Sequence, residues 1–189
     1  ERPAAAAAIR NRWPADAHPW IALQPGARWD NKRWPAAFFA EVVQELSPHF
    51  PRGRCAILGG ASDRPLASEI AAAAPGRCLD LTGQTSLPEM IEWLRRASLL
   101  LTNDSGPMHV AAALGKPVVA LFGPTEPRRT GPYRQTNHVL QNRQLPCVPC
   151  LQRVCRHSVP LECLRTLSPH AVAQAVLERF AACSPSLHA

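Results

Sequence analysis

Apolar runs of four to seven residues alternate along the chain with longer amphipathic stretches, the pattern expected when strands and helices take turns in an α/β sheet. "WIALQ" at 20–24 reads as a first strand. In "PAAFFAEVVQELSPHF" (35–50), Phe38, Val42 and Leu46 recur every four residues on one helical face, and Pro35 suits the first turn. "CAILGG" (55–60) and "CLDLTG" (78–83) predict strands two and three, followed by helices in "RPLASEIAAAA" and "LPEMIEWLRRA". Met90, Trp93 and Leu94 share the side of that third helix expected to be buried. "SLLLTN" and "KPVVALFG" give strands four and five, separated by the helix "GPMHVAAALG", which Gly115 and Pro117 terminate. The unbroken apolar run of strand five implies burial on both faces. "HVLQ" (138–141) predicts a sixth strand, and Ser168 and Pro169 open a last helix, "SPHAVAQAVLERFAA".

Six strands with intervening helices predict an α/β fold built on a doubly wound parallel sheet, Rossmann-like in order. Such sheets bind ligands at the carboxyl ends of their strands, near the point where strand order reverses. The polar and glycine clusters fall there: "PGARWDNK" after strand one, "GGASD" after strand two, "TNDSG" after strand four and "GPTEPRRTGP" after strand five. These clusters are far apart in sequence and are expected to converge in space.

With 189 residues, the chain has the size of one well-cored domain, since domains commonly run about 100 to 200 residues. The domain is expected over 20–183, with 184–189 as a tail. The opening "ERPAAAAAIRNRW" lacks the apolar core and cleavage site of a signal peptide, so 1–19 read as a linker or as the tail of a preceding segment. No apolar run approaches the roughly 18 residues of a membrane span. The net charge of +7 favours anionic partners, but no Lys/Arg block interleaves with aromatics, which argues against nucleic acid. Of seven cysteines, Cys55 and Cys78 lie in predicted strands, where a free thiol packs as a small apolar group. That usage suits a reducing compartment.

The turn before the fourth helix carries the candidate chemistry. Gly106, Met108 and His109 offer unpaired backbone N–H groups at a helix N-terminus, where the helix dipole favours a phosphate or diphosphate. Gly106 also lets an anion approach the backbone closely. Asp104 is suited to accepting hydrogen bonds from sugar hydroxyls or to holding the turn, and Asp104 or Ser105 alternatively serves only as a helix cap. Lys32, in the loop after strand one, has the reach to contact the same phosphates; Arg128 and Arg129, after strand five, are further candidates. Thr125 adds a hydroxyl donor or closes a turn begun by Pro124, and His109 either contacts phosphate or packs neutrally.

"QPGARWDNKRWPAAFFAEVVQEL", "ILGGASD" and above all "LTNDSGPMHVAAALGKPVVALFGPT" resemble the carboxy-terminal half of glycosyltransferase family 9, the ADP-heptose:lipopolysaccharide heptosyltransferases. The resemblance implies one half of a two-domain GT-B enzyme, the half that binds the ADP-heptose donor. It implies that Lys32 contacts the donor phosphates, that Asp104, Ser105, Gly106 and His109 contact phosphate and sugar, and that Asp63 faces the adenosine ribose. Gly26, Ala27 and Arg28 stand where some members carry paired threonines. The resemblance further implies transfer with inversion to a lipid-linked lipopolysaccharide core acceptor. The acceptor-binding domain and its general base lie outside these 189 residues, so the isolated chain is expected to hold the donor without turning over. A cytoplasmic location, with peripheral contact at the inner membrane, follows from the same resemblance. Two alternatives stand beside it: a non-catalytic nucleotide-binding module, and a heptosyltransferase whose acceptor is a protein hydroxyl.

"CVPCLQRVCRHSVPLEC" places Cys147, Cys150, Cys155 and Cys163 at gaps of two, four and seven residues, with His157 among them. A C-x-x-C pair presents two sulfurs to one ion, so Zn²⁺ or iron is one reading of the cluster. Protein-modifying heptosyltransferases resemble it in using cysteines to hold iron. A packed thiol cluster or disulfides is the other reading. No cofactor is otherwise expected.

Overall fold

The computed structural model describes residues 2–10, 12 and 18–183; the expected tail at 184–189 lies outside them. In chain order the elements are α1 (Arg2–Arg10), β1 (Trp20–Gln24), α2 (Ala36–Leu46), β2 (Arg54–Ile57), α3 (Arg64–Ala73), β3 (Cys78–Asp80), α4 (Leu87–Arg96), β4 (Leu99–Asn103), α5 (Gly106–Ala113), β5 (Val118–Phe122), α6 (Pro127–Thr130), β6 (Val139–Gln141), α7 (Glu162–Arg165) and α8 (Pro169–Cys183). All six predicted strands join one sheet in the order β3-β2-β1-β4-β5-β6, and every pair is parallel. The order reverses between β1 and β4, where Gln24 stands opposite Thr102. This is the switch point at which open α/β sheets form their ligand crevice.

Alternation along each strand feeds two cores, one on each face of the sheet. Ile21, Leu23, Leu99, Leu101, Val119 and Leu121 point to the face covered by α2, α3 and α8, where Phe39, Ile70 and Val172 meet them. Trp20, Ala22, Leu100, Val118 and Phe122 point to the other face, under α4 and α5. There α1 packs against α4 and buries Ile9. Phe39, not Phe38, is the fully buried ring of α2, because that helix packs on both α3 and α8 and presents a wider apolar stripe than a four-residue spacing implies. Phe38 is half-buried, edge-on to Trp34 at 5.4 Å. In α4, Trp93 and Leu94 are buried as expected, with Met90 partly so. The strands end sooner than the apolar runs: Leu58 and Leu81 are fully buried just past the ends of β2 and β3. No helix among the described residues is long and apolar enough to cross a membrane.

Candidate functional site

Two loops and one helix start converge at the switch point, and one buried side chain ties them together. Asn103, the last residue of β4, accepts a hydrogen bond from the Trp34 backbone N–H at 3.1 Å and donates through Nδ2 to the Pro25 carbonyl at 2.7 Å. It thereby fixes both ends of the β1–α2 loop. Trp34 is anchored from its other side, its Nε1 lying 3.1 Å from the carbonyls of Leu164 and Leu167. Within the loop, Asp30–Lys32 form a short 3₁₀ turn that aims Lys32 at the next residue of the β4 end.

That residue is Asp104. Lys32 Nζ lies 2.6 Å from Asp104 Oδ2, and the Thr125 hydroxyl donates to the same oxygen at 2.6 Å. Lys32 also stands 4.5 Å from the centre of the Trp29 ring, a cation–π contact. The carboxylate is buried and the ammonium nearly so, with side-chain exposures of 6% and 16%. Three residues drawn from the loops that follow three different strands thus form one hydrogen-bonded trio.

The N-terminus of α5 begins two residues further on. Ser105 occupies its N-cap position in extended conformation and makes no side-chain capping bond; its hydroxyl instead lies 3.0 Å from Thr102 Oγ1. Asp104 and Ser105 therefore do not act as the helix cap. The N–H groups of the first turn, at Gly106, Met108 and His109, keep their capacity to bind an anion. Met108 contributes only its backbone, because its side chain is fully buried in the core.

Gly106, Ser105 and Pro107 line an open cleft of about 330 Å³ with Arg28, Arg33 and Asp63. A second lobe of about 270 Å³ lies against Gly59, Gly60, Thr85, Leu87 and Met90. Gln24 and Pro107 border both lobes. Ser86 sits at the edge of the second lobe and opens α4 with a capping box, its N–H and hydroxyl both 2.7 Å from Glu89 Oε2. Those two bonds pull the Glu89 carboxyl below its ordinary range.

Asp63 lies on the wall of the first lobe, but its carboxylate is largely engaged. Oδ2 accepts the Gly60 N–H at 3.0 Å, and Oδ1 stands 3.9 Å from an Arg33 guanidinium nitrogen. The group also fills the space behind Gly26, where a Cβ would meet it at 2.4 Å. His109 is exposed and is not among the residues lining either lobe. The same holds for Arg128 and Arg129, which are exposed on α6. Sequence reasoning missed Gln24, Arg33 and Asn103. The final residue of the first strand and the "KR" pair were the only local signals for the first two, and Asn103 stood within the "TNDSG" cluster with nothing to set it apart from its neighbours.

The cysteine-rich segment packs beside this site. Asn31 Nδ2 donates to the Gln152 carbonyl at 2.7 Å, Leu151 N–H donates to the Pro124 carbonyl at 2.7 Å, and the Arg153 guanidinium lies 5.3 Å from the Trp29 ring centre. Cys147, Cys150, Cys155 and Cys163 all border one cavity of about 200 Å³ together with His157. All are free thiols. Burial and the neighbouring Cys155, Cys147 and Cys150 push the Cys163 thiol up to about 11. Among the described residues, no three His, Cys, Asp or Glu side chains stand close enough together to hold a metal ion.

A doubly wound parallel sheet with a free helix N-terminus and a cleft at its switch point is the architecture of a Rossmann-like half of a GT-B glycosyltransferase. The chain belongs to glycosyltransferase family 9 (heptosyltransferase), whose sequence profile matches residues 3–159. It is 38% identical over 120 residues to lipooligosaccharide heptosyltransferase 2 of Haemophilus influenzae, covering 60% of this chain and 34% of that protein. It is 32% identical over 160 residues to lipooligosaccharide heptosyltransferase 2 of Campylobacter jejuni, covering 80% of this chain and 48% of that protein. Among solved structures, ADP-heptose lps heptosyltransferase II of E. coli superposes with a TM-score of 0.77 at 26% identity over 96% of this chain and 51% of that one. The chain thus spans about half, or less, of the length of these relatives.

Proposed function

We propose that this chain is the donor-binding half of a heptosyltransferase, which takes ADP-heptose as donor and passes the heptose, with inversion, to a lipopolysaccharide core acceptor bound by a separate half. The observation that carries the reading is the Lys32–Asp104–Thr125 trio one step from the uncapped N-terminus of α5. In this reading the diphosphate sits at the start of α5, against the wall that Ser105, Gly106 and Pro107 give the first lobe. Lys32, which lines neither lobe, reaches it from its place beside Asp104. The N–H groups of Gly106, Met108 and His109 and the Lys32 ammonium face the charge that grows on the departing diphosphate as the acceptor hydroxyl attacks the anomeric carbon, and so stabilise the leaving group. Asp104 and Thr125 hold the ammonium in place. The general base belongs to the acceptor half, which contacts the cytoplasmic face of the inner membrane where the lipid-linked acceptor resides.

Titration calorimetry with ADP-heptose and with ADP tests the donor reading. Binding by the folded protein that weakens at least tenfold in Lys32→Ala supports it; no binding, or equal binding by the variant, overturns it.

The four thiols beside the site match a soft ion such as Zn²⁺ or iron in donor chemistry, and the Asn31 amide oxygen in the same cavity lacks a partner among the described residues. Their spacing does not match, since no three ligands converge. No step of the proposed reaction passes through a metal. Elemental analysis of protein purified without added metal decides the point, with about one equivalent favouring a resident ion and under a tenth of an equivalent excluding it.

A further inference from the structure

Five large hydrophobic side chains stand exposed among the described residues, and three of them, Leu151, Val154 and Val159, lie close together in the cysteine-rich segment at 51, 68 and 49% exposure. A single exposed aliphatic side chain needs no explanation, but a group of them marks a surface that meets something apolar. Arg153 and Arg156 are exposed between them. From 127 to 161 the chain carries six Arg and no Asp or Glu. The carboxylates that bound this stretch are both engaged, Glu126 by Arg143 at 3.4 Å and Glu162 by His157 at 3.1 Å.

The segment is fastened to the end of the sheet where the cleft opens, by the Asn31 bond to the Gln152 carbonyl and the Leu151 bond to the Pro124 carbonyl. Its backbone is held in shape as well. Leu151 and Leu161 keep left-handed φ angles of 57° and 59°, a conformation that bulky residues retain only where the surrounding structure fixes them. The outward aliphatic groups thus belong to a built loop. Arg128 and Arg129, which line neither lobe of the cleft, stand exposed on α6 after β5, at the same end of the sheet.

Aliphatic side chains interleaved with arginines match an anionic lipid bilayer. Its headgroup boundary takes up the methyl groups, and its phosphates pair with the guanidinium groups. A second copy of this chain would set arginine against arginine at a net charge of +7 each. Single-stranded nucleic acid is held by stacking on aromatic rings, where this loop offers Leu and Val. Resting on the reading above, in which the acceptor is lipid-linked, we infer that the 151–159 loop, with Arg128 and Arg129 beside it, docks this donor half on an anionic bilayer. The cleft then opens next to the lipid surface that carries the acceptor.

The test is cosedimentation with vesicles of phosphatidylcholine alone and of phosphatidylcholine with about a third phosphatidylglycerol. Wild type is compared with Val154→Ser/Val159→Ser and with Arg128→Gln/Arg156→Gln, all at exposed positions that line neither lobe of the cleft, each protein first checked for folding by circular dichroism. Wild type is expected to bind the anionic vesicles roughly tenfold or more tightly than the neutral ones, and each variant to lose roughly fivefold or more on the anionic ones. Equal binding to the two vesicle types, or binding to neither, overturns the inference. Either folded variant binding as tightly as wild type also overturns it, because the bilayer then does not meet both the aliphatic groups and the cations. Two further results assign the patch to another occupant and overturn it as well: tighter binding to single-stranded RNA than to vesicles, and self-association in sedimentation velocity that Val154→Ser/Val159→Ser abolishes. Calorimetry with ADP and ADP-heptose on the same wild-type sample keeps the two readings apart. Nucleotide binding without vesicle binding overturns the docking inference alone, and vesicle binding without nucleotide binding overturns the donor reading.

Discussion

The Lys32 ammonium and the Asp104 carboxylate meet at 2.6 Å across 72 residues of sequence, largely out of water. Breaking a buried pair from one side costs about 3 kcal/mol or more, since the partner charge is left uncompensated. Asp104→Leu is therefore expected to lower unfolding free energy by about 3 kcal/mol, and the double variant Lys32→Met/Asp104→Leu to recover part of that loss. Urea denaturation of the four proteins in the cycle measures the coupling. Additive single losses would show that the pair is not energetically coupled.

Asn103 makes a second prediction, distinct because no charge is involved. It is fully buried, and replacing it by Leu leaves the Trp34 N–H and the Pro25 carbonyl without their partner. Each such loss costs about 1 to 3 kcal/mol, so Asn103→Leu should destabilise by roughly 2 to 6 kcal/mol. Because the two bonds hold the ends of the Lys32 loop, ADP binding measured well below the melting temperature should weaken as well. A variant with wild-type melting and binding would rule out this tethering role.

The elements of this fold were legible because most of its strands are sandwiched between helices. A strand buried on both faces reads as an unbroken apolar run, as "VVALF" does, and the helices between declare themselves by period. The turn at "NDSG" was legible for the same reason: a glycine and two small polar residues between a strand and a helix have few other uses. What escaped was set by tertiary contact. Nothing local distinguishes Asn103 from the polar residues around it, and the capping alternative for Asp104 could be discarded only once its carboxylate was seen bound to Lys32 and Thr125. Glu92 is a further case. It lies on the buried side of α4, with Arg95 and Arg96 at 3.2 and 3.3 Å and Arg2 of α1 at 3.9 Å, so its burial depends on a helix whose own sequence gives no sign of that partnership.

Two glycines of the cleft should respond in opposite ways to the same change. A Cβ at Gly26 would meet the Asp63 carboxylate at 2.4 Å, whereas one at Gly106 would meet nothing within 4 Å. Gly26→Ala is expected to shift the loop or displace Asp63, with a cost of about 1 to 3 kcal/mol, typical of overpacking. Gly106→Ala should leave the melting temperature unchanged or slightly higher, because alanine favours a helical position. Its methyl group instead occupies space that a bound anion needs, so the loss should be in ADP affinity. Melting curves and titrations on both variants separate the effects; a destabilised Gly106→Ala would contradict the open space beside it.

Cys163 provides a prediction in pH. Burial first, and then the neighbouring Cys155, Cys147 and Cys150, push its thiol up to about 11, above the ordinary value of 9.0. The thiolate is the form that reacts with iodoacetamide, so Cys163 in the folded protein should alkylate slowly at pH 8 and accelerate through pH 10 to 11. The exposed Cys183 serves as an internal reference in the same peptide map. The linkage has a definite sign: the folded state holds this proton more tightly than the unfolded chain, so the contribution of the protonated thiol to stability is complete below pH 9 and is lost as pH rises from 9 towards 11. Cys163→Ser removes the titrating group and should flatten that part of the stability curve. If Cys163 alkylates at pH 8 as fast as Cys183, the crowding of thiols around the cavity does not suppress its ionisation.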